Sequence, residues 1–300
     1  MNKTILLLIA GLGLLASSVA ARAEDMVGAI MPSANVPYYV AIQKGLEEEL
    51  TKAGASVKMT VQKPAPNEMA WKNATRKLVT LEAKAIVVYG SGAALAAMGE
   101  APDLPVVFCG AFDPAGAGVT GKNVTGVEAK VPLQALVGQL KKISNFTKLG
   151  ILFSSEEVDS VKQADAVAAL GGDSVKTDVK GGTITLPDGV QAVFLTCAGA
   201  VQNEEAIKSI VEKARAGKIA TASVLGGSAE LGVMISLAAS VEQQAQETAK
   251  IVAGVIKGGG AASFPVVSGS KAELTINLVE AKALGLTVPF ELLGTAKVIK

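Results

Sequence analysis

Histidine is absent from the sequence, and cysteine is scarce. Without histidine, Ser-His-Asp and Cys-His catalysis, histidine-ligated zinc and imidazole acid–base chemistry are excluded. The two cysteines, Cys109 and Cys197, each end an apolar run that predicts a strand. In an exported protein a disulfide between them has to be considered. We expect two buried free thiols instead, because the cysteines fall in different lobes of the fold outlined below and a bridge would tie a cleft shut.

Aromatic and charged side chains are also few, at 4% and 18% of the residues. Without Lys3 and Arg22, which lie in the segment discussed next, the 28 basic side chains become 26 against 27 acidic ones, a net charge of −1. This balance argues against nucleic acid or an anionic membrane as the main partner. Half of the residues are hydrophobic, which is typical of packed α/β layers.

Residues 1–23 have the pattern of a signal peptide. Lys3 gives a positive start, residues 5–15 are apolar, and Ala21-Arg22-Ala23 places small residues where a signal peptidase reads them. The apolar run is short for a membrane span and is followed at once by Glu24-Asp25. Cysteine is absent near the cleavage point, which argues against a lipid-anchored form. We therefore expect export to the periplasm and cleavage, with a retained anchor helix as the alternative.

The remaining chain, about 277 residues, suits two lobes of ordinary size. From Met26 to Phe108 strand patterns alternate with helix patterns, and after a Gly-rich stretch starting at Asp113-Pro114 the alternation repeats. Such alternation predicts a parallel sheet with helices on both faces. We predict an α/β fold of two Rossmann-like parallel-sheet lobes. Between residues 180 and 189 turn residues replace the helix that the pattern calls for.

Gly-rich stretches mark the expected passages between the lobes. The first follows Asp113-Pro114, a second lies near Gly226–Gly232, and a third lies near Val267–Lys271. Open parallel sheets bind ligands beyond the carboxyl ends of their strands, so two facing edges predict a closing cleft with hinges at the crossings. The predicted division is residues 24–118 plus about 232–266 for lobe 1, and residues 119–231 plus about 267–300 for lobe 2.

Several segments together resemble a known family. Phe112-Asp113-Pro114 followed by Gly121-Lys-Asn-Val-Thr-Gly126 resembles the "DP…GxNVTG" signature of ABC transporter substrate-binding proteins of the tryptophan/tyrosine type. Leu136 to Phe153, Gly226 to Ala239 and Leu274 to Pro289 agree with the family in order and spacing. The resemblance implies a type I periplasmic-binding-protein fold and delivery of a small solute to a membrane permease.

The sequence departs from the family pattern in lobe 2. Ser154-Ser155-Glu156-Glu157 stands where family members usually have an Asn-Pro-type turn and a nearby serine that lines the pocket. The region between Lys180 and Gly189 is also shorter than usual. These differences prevent the ligand's identity from being carried over.

Candidate binding residues of lobe 1 follow predicted strands. The Ser33 hydroxyl suits holding a ligand carboxylate near a helix start, and the Tyr38 ring suits stacking on an apolar group of the ligand. Alternatively, Ser33 caps the helix and the tyrosine ring packs in the core. Gly90 and Ser91 open a helix whose amides favour an anion, although a simple cap is equally expected. Trp71 either stacks on a ligand or shields the base of its helix.

At the first passage, Phe112 is expected to wall the pocket. Asp113 either accepts a hydrogen bond from a ligand ammonium group or braces the crossing through backbone N–H groups, and the second role is slightly favoured.

In lobe 2 the candidates are polar residues after predicted strands or at the second passage. Acidic side chains there suit an α-ammonium group, and solvated or capping roles are the alternatives. These candidates are Ser154, Glu156, Thr196 and Glu230.

The sequence therefore predicts a monomeric periplasmic solute receptor for an ABC importer, with an amino acid or an analogue as ligand. We expect no catalysis, no cofactor, no metal and no nucleic-acid partner. A sensory protein that presents its ligand to a membrane receptor remains an alternative, because it shares the fold and the cleft. An exported enzyme is a weaker one, since histidine and a G-x-S-x-G nucleophile motif are missing.

Overall fold

The computed structural model describes residues 24–32, 36–170, 172–181, 184–269 and 271–300. The predicted signal peptide and Ser33 lie outside the described residues. The described chain forms two sheets with helices packed on them, one sheet in each lobe, so the predicted two-lobe α/β fold is confirmed. Within the described ranges, no helix is long and apolar enough to cross a membrane.

The sheet of lobe 1 has five parallel strands in the order β2-β1-β3-β4-β5. Its central strands are apolar throughout because helices cover both faces, and every residue of β3 is buried. The strands are β1 (Asp25–Ile30), β2 (Val57–Gln62), β3 (Ala85–Tyr89), β4 (Val106–Ala111) and β5 (Val124–Glu128).

The sheet of lobe 2 has seven strands in the order β12-β11-β10-β9-β8-β6-β7. All neighbours are parallel except β10 and β11, which pair antiparallel. The strands are β6 (Lys148–Phe153), β7 (Asp173–Asp178), β8 (Ala192–Leu195), β9 (Ala220–Ser223), β10 (Ile235–Ala239), β11 (Ala272–Asn277) and β12 (Lys297–Ile299).

Helices of both lobes cover the sheets, and the long α8 returns to lobe 1, where it packs on α1, β4 and β5. The described part of the β7–β8 connection has no helix, as the turn residues predict. The helices are α1 (Pro37–Lys52), α2 (Glu68–Thr80), α3 (Ser91–Glu100), α4 (Leu133–Ser144), α5 (Val158–Ala168), α6 (Gly199–Gln202), α7 (Glu204–Gly217), α8 (Val241–Ile256), α9 (Leu278–Leu284) and α10 (Phe290–Leu293).

Sheet membership corrects the expected passages between the lobes. β5 was expected in lobe 2, but it pairs with β4 as the edge of the first sheet, so the Gly-rich stretch after Asp113-Pro114 is a loop within lobe 1. β10 was expected in lobe 1, but it pairs with β9, so Gly226–Gly232 is a loop within lobe 2. The chain instead makes its first two crossings at residues 129–132 and at Ser240, whereas the third lies between Val267 and Ala272, near the predicted place.

Hydrogen bonds hold the elements beside these crossings. The Tyr38 hydroxyl on α1 donates to the Ala239 carbonyl at the end of β10 (2.9 Å). The Gln244 amide on α8 donates to the Glu128 carbonyl at the end of β5 (2.7 Å), and its oxygen accepts from the Gly110 N–H (2.9 Å). The strand ends that lead into the crossings are thus fixed to neighbouring helices.

Candidate functional site

The two sheets share one strand order, and this order locates the candidate site. Lobe 1 runs β2-β1-β3-β4-β5, and the first five strands of lobe 2 run β7-β6-β8-β9-β10, which is the same arrangement. In such sheets ligands bind beyond the carboxyl ends of the strands where the winding reverses. That point lies between β1 and β3 in lobe 1, and between β6 and β8 in lobe 2.

A buried cavity lies between the lobes at these two points. Its volume is ≈ 10 Å³, which is room for about one water molecule. The two lobes are therefore closed on each other. The lining residues follow β1, β3, β6 and β8 or face them from α1 and α2, and they are Pro32, Tyr39, Trp71, Tyr89, Gly90, Ser91, Gly92, Ala93, Glu157, Val158, Asp159 and Cys197.

A direct polar contact joins the lobes inside the cavity. The backbone N–H of Ser91, at the start of α3, donates to Asp159 Oδ2 at 2.7 Å, and the Ser91 hydroxyl donates to Asp159 Oδ1 at 2.7 Å. The backbone N–H groups of Phe112 and Asp113 also lower the pKa of Asp159, but burial outweighs these donors and raises it. Asp159, from lobe 2, thus places its carboxylate where the α3 dipole favours negative charge.

Glu157 is a second buried carboxyl beside Asp159. Its Oε1 accepts a hydrogen bond from the Gly199 N–H at the start of α6 (2.7 Å). Burial, with Asp159 and Glu156 as lesser contributors, raises the pKa of Glu157 to about 8 although the α6 backbone lowers it. The lobe 2 side of the cavity therefore carries two buried carboxyl groups, of which Glu157 holds its proton up to about pH 8.

Three aromatic rings form the lobe 1 side of the cavity. Tyr39 and Tyr89 pack with their ring centroids 5.7 Å apart, and the Tyr89 hydroxyl donates to Gln43 Oε1 (2.7 Å). Trp71 packs against Gly92, where an added Cβ would lie 2.7 Å from Cζ3 of the indole. The Trp71 indole N–H is buried and has no acceptor among the described residues.

Of the lobe 1 candidates, the structure places Trp71, Gly90 and Ser91 on the cavity wall. Ser33 falls outside the described residues, directly after the lining residue Pro32. Tyr38 does not line the cavity, because its ring is buried in the core and its hydroxyl bonds Ala239.

The side chains of the two candidates of the first Gly-rich stretch do not line the cavity either. Phe112 is a core side chain, exposed by 7%. Asp113 forms ion pairs with Lys162 of α5 (3.2 Å) and with Lys130 (3.9 Å). Lys162 belongs to lobe 2, so Asp113 links the lobes outside the cavity.

None of the four lobe 2 candidates lines the cavity. Ser154 and Thr196 are buried, and both form hydrogen bonds with Ser160 that link the ends of β6 and β8. Glu156 is exposed and faces a groove at the mouth of the cleft, opposite the start of α2. Glu230 pairs with Lys297 (2.7 Å) on the surface of lobe 2.

Sequence reasoning missed the lining residues Tyr39, Tyr89, Glu157, Asp159 and Cys197. Cys109 and Cys197 are free and buried, as expected. Among the described residues, no group of three or more His, Cys, Asp or Glu side chains is placed to hold a metal ion.

Comparison with known proteins agrees with this architecture. A conserved domain protein from Vibrio cholerae O1 biovar eltor superposes with a TM-score of 0.83 at 22% identity, covering 92% of this chain and 99% of that one. An ABC domain from Streptococcus pneumonia in complex with L-Trp gives 0.83 and 22%, covering 93% and 100%. The isoleucine complex of a branched-chain amino acid transporter substrate-binding protein from Streptococcus pneumoniae gives 0.63 and 13%, covering 84% and 96%. These likenesses show the type I periplasmic-binding-protein fold.

No curated protein sequence matches the chain significantly. The model of the family described as ABC transporter substrate binding protein matches residues 32–300. That match spans both lobes and all three crossings. The expected resemblance is confirmed, and the chain belongs to the ABC transporter substrate-binding protein family.

Proposed function

We propose that this protein is a periplasmic solute receptor that captures a small molecule between its lobes and delivers it to an ABC importer. The observation that carries the proposal is the cavity at the facing carboxyl edges of the two sheets. The ligand is an amino acid or an analogue with an aromatic or aliphatic body, because three aromatic rings face two carboxyl groups across the cavity. The receptor acts as a monomer, and residues 1–23 direct its export.

Capture requires the lobes to move. The closed cavity holds about one water, so a solute enters when the lobes separate about the crossings at residues 129–132, 240 and 267–271. The Ser91–Asp159 contact breaks in that motion. Binding then stabilises a closed form, and the closed form docks on the permease. The protein performs no chemistry, in keeping with a family of solute-binding proteins.

Mass spectrometry of material released by denaturing the purified protein tests this function. We expect a small solute, and we expect that solute to raise the melting temperature of the refolded protein. Amino acids, purines and short peptides complete the thermal-shift panel. A protein that neither releases nor is stabilised by any small molecule, yet turns over a substrate, would exclude the receptor function.

A matched pair of α3 variants tests the position of the site. In Gly92→Ala the new Cβ meets the ring of the lining residue Trp71 at 2.7 Å and forces the ring to move, whereas at Gly99 nothing lies within 4 Å. We expect Gly92→Ala to weaken solute binding at least tenfold and Gly99→Ala to leave binding unchanged. Equal affinities of the two variants, measured by calorimetry, would place the ligand elsewhere.

A further inference from the structure

Asp159 already occupies the position at which the cleft would best hold a ligand carboxylate. The start of α3 offers a backbone N–H and a hydroxyl from Ser91, and both donate to Asp159 at 2.7 Å. Helix N-termini are common binding points for carboxylates. Asp159 comes from the opposite lobe and is only 5% exposed. A ligand carboxylate could bind at this helix start only by displacing Asp159, and it would then be repelled by the negative charge of Asp159 beside it.

The carboxyl groups of the cavity have no basic counterpart among its described lining residues. Glu157 and Asp159 line the cavity together, and none of the described lining residues is a lysine or an arginine. Lys162, on the same helix as Asp159, is engaged by Asp113 outside the cavity. Buried carboxylates gain from a cation brought beside them, because the low local dielectric strengthens the attraction. The cavity therefore favours a positively charged guest.

An independent observation also indicates a guest in this cavity. Trp71 is 3% exposed and lines the cavity, yet its indole N–H has no acceptor among the described residues. A buried donor without an acceptor is costly and uncommon in folded proteins. A ligand oxygen would satisfy this donor, and the faces of Trp71, Tyr39 and Tyr89 suit a cation attached to an apolar body.

We propose that the cleft selects a small organic cation, a protonated amine without a free carboxylate, and that Asp159 is the residue that discriminates against amino acid carboxylates. This inference rests on the proposed receptor function and narrows its ligand from amino acids and their analogues to analogues that lack the carboxylate. The ammonium group contacts Glu157 and Asp159, and the body of the ligand lies among the three rings. A hydroxyl or carbonyl oxygen on that body accepts from Trp71.

Three matched pairs of probes test the selectivity: tyramine and tyrosine, tryptamine and tryptophan, phenethylamine and phenylalanine. Each pair differs only in the carboxylate. We expect refolded, solute-free protein to bind at least one amine, and to bind that amine at least tenfold more tightly than its parent amino acid by isothermal titration calorimetry. An amino acid that binds as tightly as its amine, or more tightly, would overturn the inference and leave the receptor function intact.

Variants of Asp159 and Glu157 test whether these two residues cause the preference for the amine over the amino acid. Asp159→Asn should weaken amine binding at least tenfold and reduce the preference over the amino acid, because the repelling charge is gone. Asp165→Asn, the same change on the exposed face of α5, should alter neither affinity. Since a variant at Asp159 risks loss of folding, Glu157→Gln provides a second arm. It removes the other carboxyl group of the cavity, which gives up its proton when an ammonium group lies beside it, and should also weaken amine binding at least tenfold. Unchanged amine affinity in either cavity variant would contradict the assignment.

The identity of the co-purified solute separates this inference from the receptor function. A released amine supports both. A released carboxylate or neutral solute that stabilises the protein overturns the cation selectivity and supports the receptor. Failure to release or bind any solute, including the six probes, counts against both.

Discussion

Glu157 is expected to make the protein less stable as the pH rises, and one nearly isosteric substitution removes this effect. Burial raises the pKa of its carboxyl from 4.5 to about 8, and the charges of Asp159 and Glu156 add to the increase. The N–H groups of Gly199 and Ala200 oppose it without cancelling it. The folded protein therefore holds the Glu157 proton more tightly than the unfolded chain does.

The sign and size of the effect follow from that difference. The stabilising contribution of the protonated group is fully present below pH 4.5 and is lost as the pH rises to about 8. Each pH unit in this window costs about 1.36 kcal/mol, so the complete loss is about 5 kcal/mol. With an unfolding entropy of about 2.1 cal/mol/K per residue and about 277 residues, this corresponds to a melting temperature lower by about 8 °C.

Glu157→Gln is the perturbation, because glutamine resembles the protonated carboxyl and keeps an oxygen for the Gly199 N–H. Differential scanning calorimetry of refolded, solute-free protein from pH 4.5 to 8.5 is the assay. We expect the variant to match the wild type at pH 4.5 and to melt about 8 °C higher at pH 8.5. Glu156→Gln is the control, since this exposed neighbour is the smaller of the two charge contributors and its removal should keep most of the wild-type pH profile.

The other ionisable groups facing Glu157 do not produce the same pH-dependent difference in melting temperature. Burial raises the pKa of Tyr39 and of Cys197 well above their ordinary values, so neither group ionises in the window. Asp159 is present in both the wild type and the variant. Parallel stability profiles for the wild type and Glu157→Gln would refute the reasoning, because they would mean that the ionised carboxylate is well solvated in the folded protein.

Three further substitutions test the packing of the lobes, with urea unfolding as the measurement. At Gly126 an added Cβ would lie 2.0 Å from the Phe108 carbonyl oxygen, so Gly126→Ala should lower the free energy of unfolding by about 3 kcal/mol. Gly138→Ala in α4, where nothing lies within 4 Å, should raise it by about 0.5–1 kcal/mol. Equal effects of the two substitutions would contradict this packing. Arg215→Ala leaves the Glu280 carboxylate buried without the three hydrogen bonds it now accepts, which should cost about 3 kcal/mol; a loss below about 0.5 kcal/mol would show that water reaches Glu280.

The layered architecture could be predicted because its signals are local. A run such as Ala85–Tyr89, apolar at every position, belongs to a strand covered on both faces, and the helix patterns between such runs require parallel pairing. Sheet membership could not be predicted in the same way. The Gly-rich stretch before Val124–Glu128 resembles a passage between lobes, and only pairing with β4, a tertiary contact, assigns that strand to lobe 1.

The site residues also differ in whether their signals are local in the sequence. Gly90 and Ser91 could be predicted because a helix start after a buried strand is a local pattern. What fills that helix start is not local, since Asp159 is 68 residues away and reaches it only when the lobes close. Tyr39 and Tyr89 were missed because an aromatic ring next to a strand or helix start fits the core as well as a cavity wall.

One sequence signal did point to Asp159. The buried face of α5 runs through Val167 and Ala164 and continues towards the helix start as Gln163, Ser160 and Asp159. An inward face that changes from apolar to polar along one helix is unexpected in a simple core, because buried polar groups require partners. Ser160 and Gln163 find theirs at the ends of β6 and β8, whereas Asp159 finds its partner only across the cleft. A polar end on the buried face of a helix therefore identifies where that helix leaves the core of its own lobe and meets the other one.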